Sequence, residues 1–458
     1  MVFDLDVCDV CDVATHWPCD HWGVPGPVVY RTPTDGDESL SRLGAAARQV
    51  GLDSGLAAVG IASADIFTET REVLHARRRD GLHGTMEFTY RNPDRSTDPG
   101  RILEGARSLV VGAWGYRRAD PISSQVTISV HGDPTPTDTT SGLAHPTGLA
   151  PHPPKGTVAR YARHDYYRSL RRALERIADR LRADGWRAIV VVDDNALVDR
   201  AAAQRAGLGW FGKNSLLLLP ELGSWYVLGS VVTDAPLEPS APSGPSEPGE
   251  GCGSCRRCIT ACPTGAIVAD GVIDARRCLA WLVQAPGAIP VEFRTAMGSR
   301  IYGCDECQDA CPINRVADRR HRSPASEPGS VATIDLLDLL VATDDELIDA
   351  HGRWYIAKRD PRYLRRNALV ALGNVGDRRD PETLATLDRW ADGDDELLAE
   401  HARWARDQLG RLDGASPVGT EAGTEAGTGA GAGAEAGAGP GAGAGPGAGA
   451  GPGAGATR

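Results

Sequence analysis

The hydrophobic pattern of the first half of the chain predicts strands and helices in alternation. Buried strands are predicted at residues 56–62 (LAAVGIA), 108–116 (SLVVGAWGY), 188–194 (AIVVVDD) and in SWYVLGSVVTD. The third run is too continuously apolar to alternate, which is typical of a sheet covered on both faces. Helical spacing predicts an amphipathic helix with an apolar stripe of Leu170, Leu174, Ile177 and Leu181. A second helix, VDRAAAQRAG, ends at Gly207, and this order favours an α/β domain over residues 40–234.

The pattern changes in the second half of the chain. Residues 235–250 are studded with proline and are predicted to form a linker. A cysteine-rich domain follows over residues 251–331. Only helices are predicted after it, and their amphipathic runs over residues 332–413 look like a short HEAT-like array.

Composition identifies three segments that are poorly suited to a packed core. Residues 119–156 are rich in Pro, Ser, Thr and Gly and are predicted to be a long loop inserted in the α/β domain. Residues 414–458 are nearly all Gly, Ala, Pro, Glu and Thr, which predicts a disordered tail. Residues 1–39 are predicted to be a disordered leader, although a zinc site remains an alternative for Cys8, Cys11, His16, Cys19 and His21.

Charge and hydropathy limit the possible partners. The 458 residues carry a formal net charge of −12, so any nucleic-acid contact must use a local basic patch. We expect no membrane span, because there is no apolar run of about 18 residues. We also expect no secretory or twin-arginine signal and a reducing, cytoplasmic compartment, which cluster-bound thiolates require.

The spacing of the cysteines after residue 251 is that of an iron–sulfur protein. CGSCRRCITACP has the form C-x2-C-x2-C-x3-C-P, the bacterial ferredoxin pattern in which the fourth cysteine ligates a second cluster. Cys278 and CDECQDACP supply four more cysteines, and each crossing cysteine precedes a proline that turns the chain away. A pair of zinc ribbons is the alternative, and the two C-P endings and the count of eight argue against it.

Two ligand sets follow from this pattern. The first 4Fe–4S cluster is predicted to take Cys252, Cys255, Cys258 and Cys311. The second is predicted to take Cys262, Cys278, Cys304 and Cys307.

The α/β region carries a more specific resemblance. VDDNALVDRAAAQRAGLGWFGKNSLLLLPELGSW resembles the signature of the epoxyqueuosine reductases, the cobalamin-dependent enzymes that complete queuosine in tRNA. HGTMEFTYRNPDRSTDPGRILEGARSLVV, ARYARHDYY, GCDECQDACPIN and RRNALVALGN strengthen the resemblance, which covers residues 43–376. Ala196 departs from it, since most members have proline there, and this puts only the local loop geometry in doubt.

The resemblance implies an architecture and a reaction. It implies a nitroreductase-like α/β cobalamin-binding domain, a bacterial ferredoxin-like two-cluster domain and a C-terminal HEAT-like all-α region. The clusters would pass single electrons to cobalamin, with cob(II)alamin as the resting and cob(I)alamin as the active state, bound base-off without a histidine ligand. Reduction of epoxyqueuosine in tRNA would follow, with an external low-potential electron donor and a monomeric enzyme.

Asp193 is the candidate proton donor. It ends a predicted strand, where ligands of α/β sheets bind, and burial beside a corrin would raise its pKa. The alternatives are that Asp193 caps a helix and that Asp199 is the acid, although Asp199 is expected to pair with Arg200 or to cap. The resemblance places further cobalamin contacts at Arg95, Tyr161, Val198, Lys213, Asn214, Ser215, Leu216 and Leu217. The glycines of GLGWFGKN are expected to let the backbone approach the corrin.

A basic stretch in the helical region is the candidate tRNA contact. GRWYIAKRDPRYLRRNA concentrates positive charge, and basic side chains bind phosphates with release of counterions. The predicted contacts are Lys358, Arg365 and Arg366. A solvated helix face neutralised by nearby acids is the alternative.

Three other protein classes share some of these features. A reductive dehalogenase combines cobalamin and two clusters but typically carries a twin-arginine signal and lacks a HEAT-like region. A ferredoxin-type electron carrier would not need the VDD and GLGWFGKN segments. A corrin-trafficking protein would not need eight cluster cysteines.

Overall fold

The computed structural model describes residues 37–119, 153–321 and 323–411. The predicted zinc alternative in the leader, the disordered tail and most of the predicted insertion lie outside the described residues.

The first described region contains most of the strands. Its helices are α1 (Asp37–Asp53), α2 (Thr68–Arg79), α3 (Phe88–Arg91), α4 (Pro93–Ser96), α5 (Tyr166–Ala183) and α6 (Asp199–Arg205). Its strands are β1 (Ala58–Ser63), β2 (Ser108–Gly115), β3 (Lys155–Val158), β4 (Ala188–Val192), β5 (Trp210–Phe211), β6 (Leu217–Leu218) and β7 (Tyr226–Thr233). The predicted strands and the amphipathic helix at Leu170 are therefore confirmed within a few residues.

A four-stranded sheet in the order β1-β2-β7-β4 is the centre of this region, and every pair in it is antiparallel. Successive residues of β2 pack into two hydrophobic cores, one on each face of the sheet. Val110 packs in a cluster with Leu170 and Leu174 of α5, whereas Val111 packs in a cluster with Ala202 of α6. The sheet is covered on both faces, which explains its continuously apolar strands.

The proline-rich segment after β7 packs against the sheet. Ala235 and Leu237 are buried. The Ser240 backbone N–H donates to the carbonyl of Ile61 at 2.8 Å, and the Ile61 N–H donates to the Ser240 hydroxyl at 2.9 Å. Residues 235–240 therefore cover part of the free edge of β1. Covering an edge strand in this way prevents it from pairing with another chain.

The cysteine-rich region consists of short elements joined by loops. They are α7 (Arg257–Ala261), β8 (Ile267–Ala269), β9 (Val272–Ile273), α8 (Leu279–Leu282), α9 (Val291–Met297), β10 (Arg300–Tyr302), α10 (Glu306–Asp309) and α11 (Pro312–Arg320). Strand β10 pairs with β3 in parallel.

The last region is helical after one short strand. Its elements are β11 (Thr333–Asp335), α12 (Leu336–Val341), α13 (Asp344–His351), α14 (Arg362–Val375), α15 (Pro381–Ala391) and α16 (Glu396–Arg411). The prediction of helix from residue 333 is wrong for three residues, because β11 pairs antiparallel with β3 and α12 begins only after Asp335 caps it. Among the described helices, none combines the length and apolar character needed to cross a bilayer.

One hydrophobic core joins the cysteine-rich and helical regions. It contains Val158 of β3, Ile301 of β10, Leu336 of α12 and Leu369 of α14. Strand β3 lies between β10 and β11, so a strand from the first region bridges the other two. The core continues without a break across the boundary predicted at residue 331.

Candidate functional site

Eight free thiols lie on loops and helix termini of the cysteine-rich region. Several of them directly precede a helix: Cys278 precedes α8, and Cys311 precedes α11, whose first residue is Pro312. The proline has no N–H to satisfy at the first helical position. At Cys311 the chain therefore turns away from the cysteine into a helix, whereas Cys262, the other C-P cysteine, follows the end of α7.

The first predicted ligand set is assembled in space. The pKa of the Cys258 thiol is raised to about 11, first by burial and then by the charges of Cys252, Cys311 and Cys255. The pKa of Cys311 is raised first by its own burial and then by Cys252 and Cys255. The four thiols therefore lie close enough together to repel one another electrostatically.

The second predicted set is assembled beside the first. Burial raises the pKa of Cys304 to about 11, and Cys278 contributes to the shift. Burial also raises the pKa of Cys307, and the charges of Cys304, Cys278, Cys258 and Cys262 follow in that order. Cys258 of the first set thus lies near Cys307 of the second.

These surroundings fit iron–sulfur clusters. The Ala266 N–H donates to Cys262 Sγ at 3.2 Å, the kind of hydrogen bond that tunes a cluster potential. Among the described residues, no three Cys, His, Asp or Glu side chains converge as a single ion would require. A 4Fe–4S cluster spreads four thiolates over four irons, so each set of four surrounds a cluster rather than converging on one point.

Asp193 lies immediately after β4, as predicted. Its φ of 52° is in the left-handed region, which is strained for a residue other than glycine and is common at functional sites. The side chain is exposed, yet the crowding protein atoms reduce its hydration and raise its pKa, and the charge of Asp194 adds to the shift. The alternative that Asp193 caps a helix is wrong, because Val198 precedes α6.

Asp199 is the second carboxyl of this site. Its Oδ1 atom is buried and has no hydrogen-bond partner among the described residues. Burial raises its pKa well above the usual range, and the charge of Asp193 raises it further. The expectation that Asp199 pairs with Arg200 or caps is not met, since the Arg200 guanidinium donates to the Ser215 carbonyl at 3.2 Å.

Two tyrosines that the sequence pattern did not single out lie near these carboxyls. The pKa of Tyr167 is raised by burial and then by the charges of Asp193 and Asp199. The pKa of Tyr302 is raised by burial, with Asp193 as a further cause. Tyr302 is only two residues before Cys304, so the Asp193 carboxyl lies on the side of the second thiol set. The sequence contained one indication of the role of Tyr302, namely its position two residues before the predicted ligand Cys304.

A chain of hydrogen bonds connects Tyr302 to Tyr161, which is one of the predicted cobalamin contacts. The Tyr302 hydroxyl donates to Gln284 Oε1, and Gln284 Nε2 donates to the Tyr161 hydroxyl, both at 3.3 Å. The Tyr355 backbone N–H donates to the Tyr302 hydroxyl at 2.9 Å. Both tyrosine rings are therefore held in place beside the second set.

The GLGWFGKN loop makes different contacts from those predicted. Lys213 is buried, and its Nζ lies 3.0 Å from Asp270 Oδ2 in the β8–β9 turn. The Asn214 side chain donates to the Cys307 carbonyl at 3.3 Å, and the Ser215 hydroxyl donates to the Gly271 carbonyl. Asn214 thus contacts the second thiol set, and Lys213 and Ser215 join the loop to the β8–β9 turn. Their roles as corrin contacts stay predictions.

The first two glycines of this loop also approach protein rather than an open site. A Cβ at Gly209 would lie 2.1 Å from the Leu218 carbonyl oxygen, and one at Gly207 would lie 2.2 Å from that of Ala241. The expectation that they make room for a corrin is therefore wrong for these two positions.

The other predicted contacts are divided between core and surface. Leu217 and Val198 are buried in the core below α6, so neither presents a side chain to an open site. Leu216 is half-buried and Arg95 is exposed at the end of α4, and their roles stay predictions.

Two of the three predicted tRNA contacts are structural. Arg366 is fully buried and donates to the carbonyls of Leu282, Ala285 and Gly287. Arg365 is also buried and pairs with Asp344. The expectation that these guanidinium groups bind phosphate is wrong, because α14 presents them to the protein interior. Lys358 is exposed, and its role stays a prediction.

Comparison with known proteins matches this arrangement. A model of the 4Fe-4S double cluster binding domain matches residues 251–314. The epoxyqueuosine reductase of Vibrio cholerae is 34% identical over 370 residues, which cover 79% of this chain and 90% of that protein.

Solved structures extend the similarity to the fold. An epoxyqueuosine reductase with a tRNA-Tyr epoxyqueuosine-modified stem loop is 29% identical, with a TM-score of 0.66 over 81% of this chain and 91% of that one. The Bacillus subtilis epoxyqueuosine reductase, solved with an aspartate catalytic loop swung out of the active site, is 29% identical with a TM-score of 0.65. It covers 81% of this chain and 91% of its own.

Proposed function

The chain belongs to the epoxyqueuosine reductase family, and on that premise we propose that it reduces epoxyqueuosine to queuosine at the wobble position of tRNA. Two 4Fe–4S clusters in the predicted thiol sets relay single electrons, and the reaction takes place in the cytoplasm. The observation that carries the proposal is the position of Asp193 at the end of β4, near enough to act electrostatically on Tyr302, two residues before Cys304 of the second thiol set.

Cobalamin is the cofactor that the proposal places beside Asp193. When bound, it supplies a reducible cobalt that delivers electrons to the epoxide. The residues present fit such a site: Asp193 is strained and exposed at a strand end, and Asp199 leaves a buried oxygen atom without a partner. The exposed Arg95, the half-buried Tyr161 and Leu216, and the Lys213–Asn214–Ser215 segment are further contacts of the predicted set. We extend the assignment to a nitroreductase-like first region and a HEAT-like last region.

Proton supply is the role of this chain's carboxyls. The reaction consumes two electrons and two protons and releases the epoxide oxygen as water. Asp193 donates a proton from its carboxyl to that oxygen as the ring opens, which is general acid catalysis. Its raised pKa keeps the acid form populated to a higher pH than in an ordinary aspartate, which suits a proton donor.

The assay for the proposal is anaerobic turnover. Protein reconstituted with iron, sulfide and cobalamin is incubated with dithionite and tRNA that contains epoxyqueuosine, and the nucleosides are then identified by mass. Queuosine must form in proportion to protein and must require both cofactors. Absence of queuosine with both cofactors bound would refute the proposal.

Asp199 is a second candidate for the acid. Its orphaned buried Oδ1 and strongly raised pKa favour it as a stored proton next to Asp193. Comparison of Asp193→Asn with Asp199→Asn in the same assay distinguishes the two. The larger loss of rate is expected for Asp193, because its carboxyl is the exposed one that a substrate can reach.

A further inference from the structure

An arginine-lined cavity lies beside the first thiol set. It has a volume of about 460 Å³, and its lining residues are Arg256, Arg257, Thr260, Ala261, Ala310 and Arg315. Cys258 lies within the α7 stretch that forms one wall, and Cys311 directly follows Ala310 of the other. The cavity and the first set are therefore built from the same two segments.

The charge of this cavity is not neutralised by neighbouring acids. Among the described residues, Arg256 and Arg257 have no ion-pair or hydrogen-bond partner for their side chains, and both are exposed. Arg315 donates only to the Asp309 carbonyl. Three positive charges thus face solvent on a chain of net charge −12.

A second basic cavity provides the contrast. It measures about 210 Å³ and is lined by Arg117, Arg118 and Arg160 among others. Each of these three arginines pairs with a carboxylate, respectively that of Asp318, Glu327 and Asp309. Its arginines are therefore structural, whereas those at the first set remain available to a partner.

Exposure singles out the first thiol set as the point where electrons can enter. Residues 251, 253, 254, 256 and 257, which flank its first two cysteines, are all exposed. In the second set, Cys304 packs against the large core and Cys278 against a core that contains Trp281. The first set is therefore the outer one, and the second packs more closely against the protein cores.

We propose that the Arg256–Arg257–Arg315 surface docks a small acidic one-electron carrier protein. The inference rests on the proposed function, because it needs a cluster in the first thiol set. One electron leaves the reduced carrier and reduces that cluster, no bond is made or broken, and two such transfers supply one epoxide. An acidic carrier would be repelled by the net charge of this chain, so a local positive patch at the point of entry steers and orients it.

Charge reversal tests the surface. The triple variant Arg256→Glu, Arg257→Glu, Arg315→Glu is reconstituted and mixed anaerobically with flavodoxin hydroquinone, and cluster bleaching is followed by stopped flow. We expect reduction about tenfold slower or more, since electrostatic steering contributes on the order of 10-fold to 1,000-fold to association rates. The dependence of the rate on salt should largely disappear. Flavodoxin affinity, measured by calorimetry, should fall in parallel.

Three controls make the result specific. Dithionite, which needs no docking surface, should reduce the clusters of the variant to the same final extent as those of the unmodified protein. The charge-preserving variant with lysine at all three positions should retain carrier-driven reduction, and Arg48→Glu on α1 should change nothing. A glutamate variant that loses its clusters would fail the dithionite control. The lysine variant then tests the docking surface by itself, because it must retain carrier-driven reduction.

The outcomes separate the two claims. Unchanged flavodoxin-driven bleaching in the glutamate variant, or slow bleaching in the lysine variant, overturns the docking surface. A fall in tRNA stem-loop affinity with unchanged carrier reduction also overturns it, and assigns the patch to nucleic acid. Failure of dithionite-driven queuosine formation in the unmodified protein refutes the proposed function instead.

Discussion

At the scale of single residues, Asp193 combines features that seldom occur together. A left-handed backbone ends a buried strand, and the carboxyl remains exposed while its pKa is raised. Backbone strain of this kind costs about 1–3 kcal/mol and persists where the surrounding structure enforces it. The carboxyl lies near enough to Tyr302, beside the second thiol set, to raise the pKa of that hydroxyl.

Asp193→Asn is predicted to slow queuosine formation by about 100-fold or more, because an amide cannot donate the proton that opens the epoxide. Iron content and cobalamin binding should be retained. Single-turnover nucleoside analysis measures the effect, and full activity in the variant would exclude Asp193 as the acid.

The pH dependence has a definite sign. The acid form of Asp193 is required, and its pKa is raised, so the single-turnover rate should fall as pH rises through that raised pKa. The measurement is the rate across the neutral range with dithionite-reduced protein, whose cluster spectra serve as the control. A rate that rises with pH over this range would contradict the assignment.

Asp199 carries a cost in stability. A carboxyl whose pKa is higher in the folded than in the unfolded state binds more protons when folded, so its contribution to stability falls as pH rises above its unfolded pKa. Asp199→Asn is therefore predicted to stabilise the protein by about 1 kcal/mol at neutral pH. Anaerobic denaturant titration at neutral and acidic pH measures this, and an equal effect at both would contradict the cause.

Single residues also show where sequence reasoning was sufficient. The position of Asp193 was predictable, because a carboxylate after an apolar run marks a strand end in the chain itself. Tyr302 was not, because its proximity to Asp193 depends on the packing of β10 beside β3, which no local pattern encodes.

At the scale of elements, α14 explains why a basic sequence does not make a basic surface. Its residues Tyr363–Gly373 are all buried, and Arg366 reaches backbone carbonyls at the ends of α8 and its loop. Burial lowers the pKa of Arg366 to about 9. The density of arginines in the sequence therefore predicted a basic surface, whereas α14 buries Arg365 and Arg366 in the protein interior.

Arg366→Ala is predicted to destabilise the fold by about 2–4 kcal/mol, because it leaves buried carbonyls without donors and opens a cavity. The measurement is the denaturation midpoint of anaerobic protein. Lys358→Ala is the matched control, since its side chain is exposed, and its midpoint should not change.

The same control carries a binding prediction. Lys358→Ala should weaken tRNA stem-loop affinity modestly and reduce the salt slope by about one, as loss of a single phosphate contact does. Fluorescence titration at several salt concentrations measures both quantities. An unchanged slope would remove Lys358 from the interface.

The Lys213–Asn214–Ser215 segment acts as a joint between two regions. It connects the β5–β6 hairpin to the β8–β9 turn and to the Cys307 carbonyl. The sequence placed these residues at the functional site, and the structure gives them a supporting position there. Their partners are about 55–90 residues away in the chain, a separation that spacing cannot reveal.

At the scale of the whole molecule, the regions are interdependent. Strand β3 joins β10 of the cysteine-rich region to β11 of the helical one, and a single core extends through both. The cysteine spacing predicted the two thiol sets because their ligands lie close together in the chain. The basic cavity beside the first set and the influence of Asp193 on Tyr302, near the second, depend on the fold, which is why they were not predictable.

The central claim is that electrons from the 4Fe–4S clusters in the two thiol sets reach the epoxide, whose oxygen receives a proton from Asp193. Rapid-freeze electron spin resonance tests it most directly, with cobalamin-loaded, prereduced protein mixed with epoxyqueuosine tRNA after removal of excess reductant. The signals of both reduced clusters should decay in step with the appearance of queuosine. Clusters that stay reduced while queuosine forms, or thiol sets that hold zinc, would contradict the account.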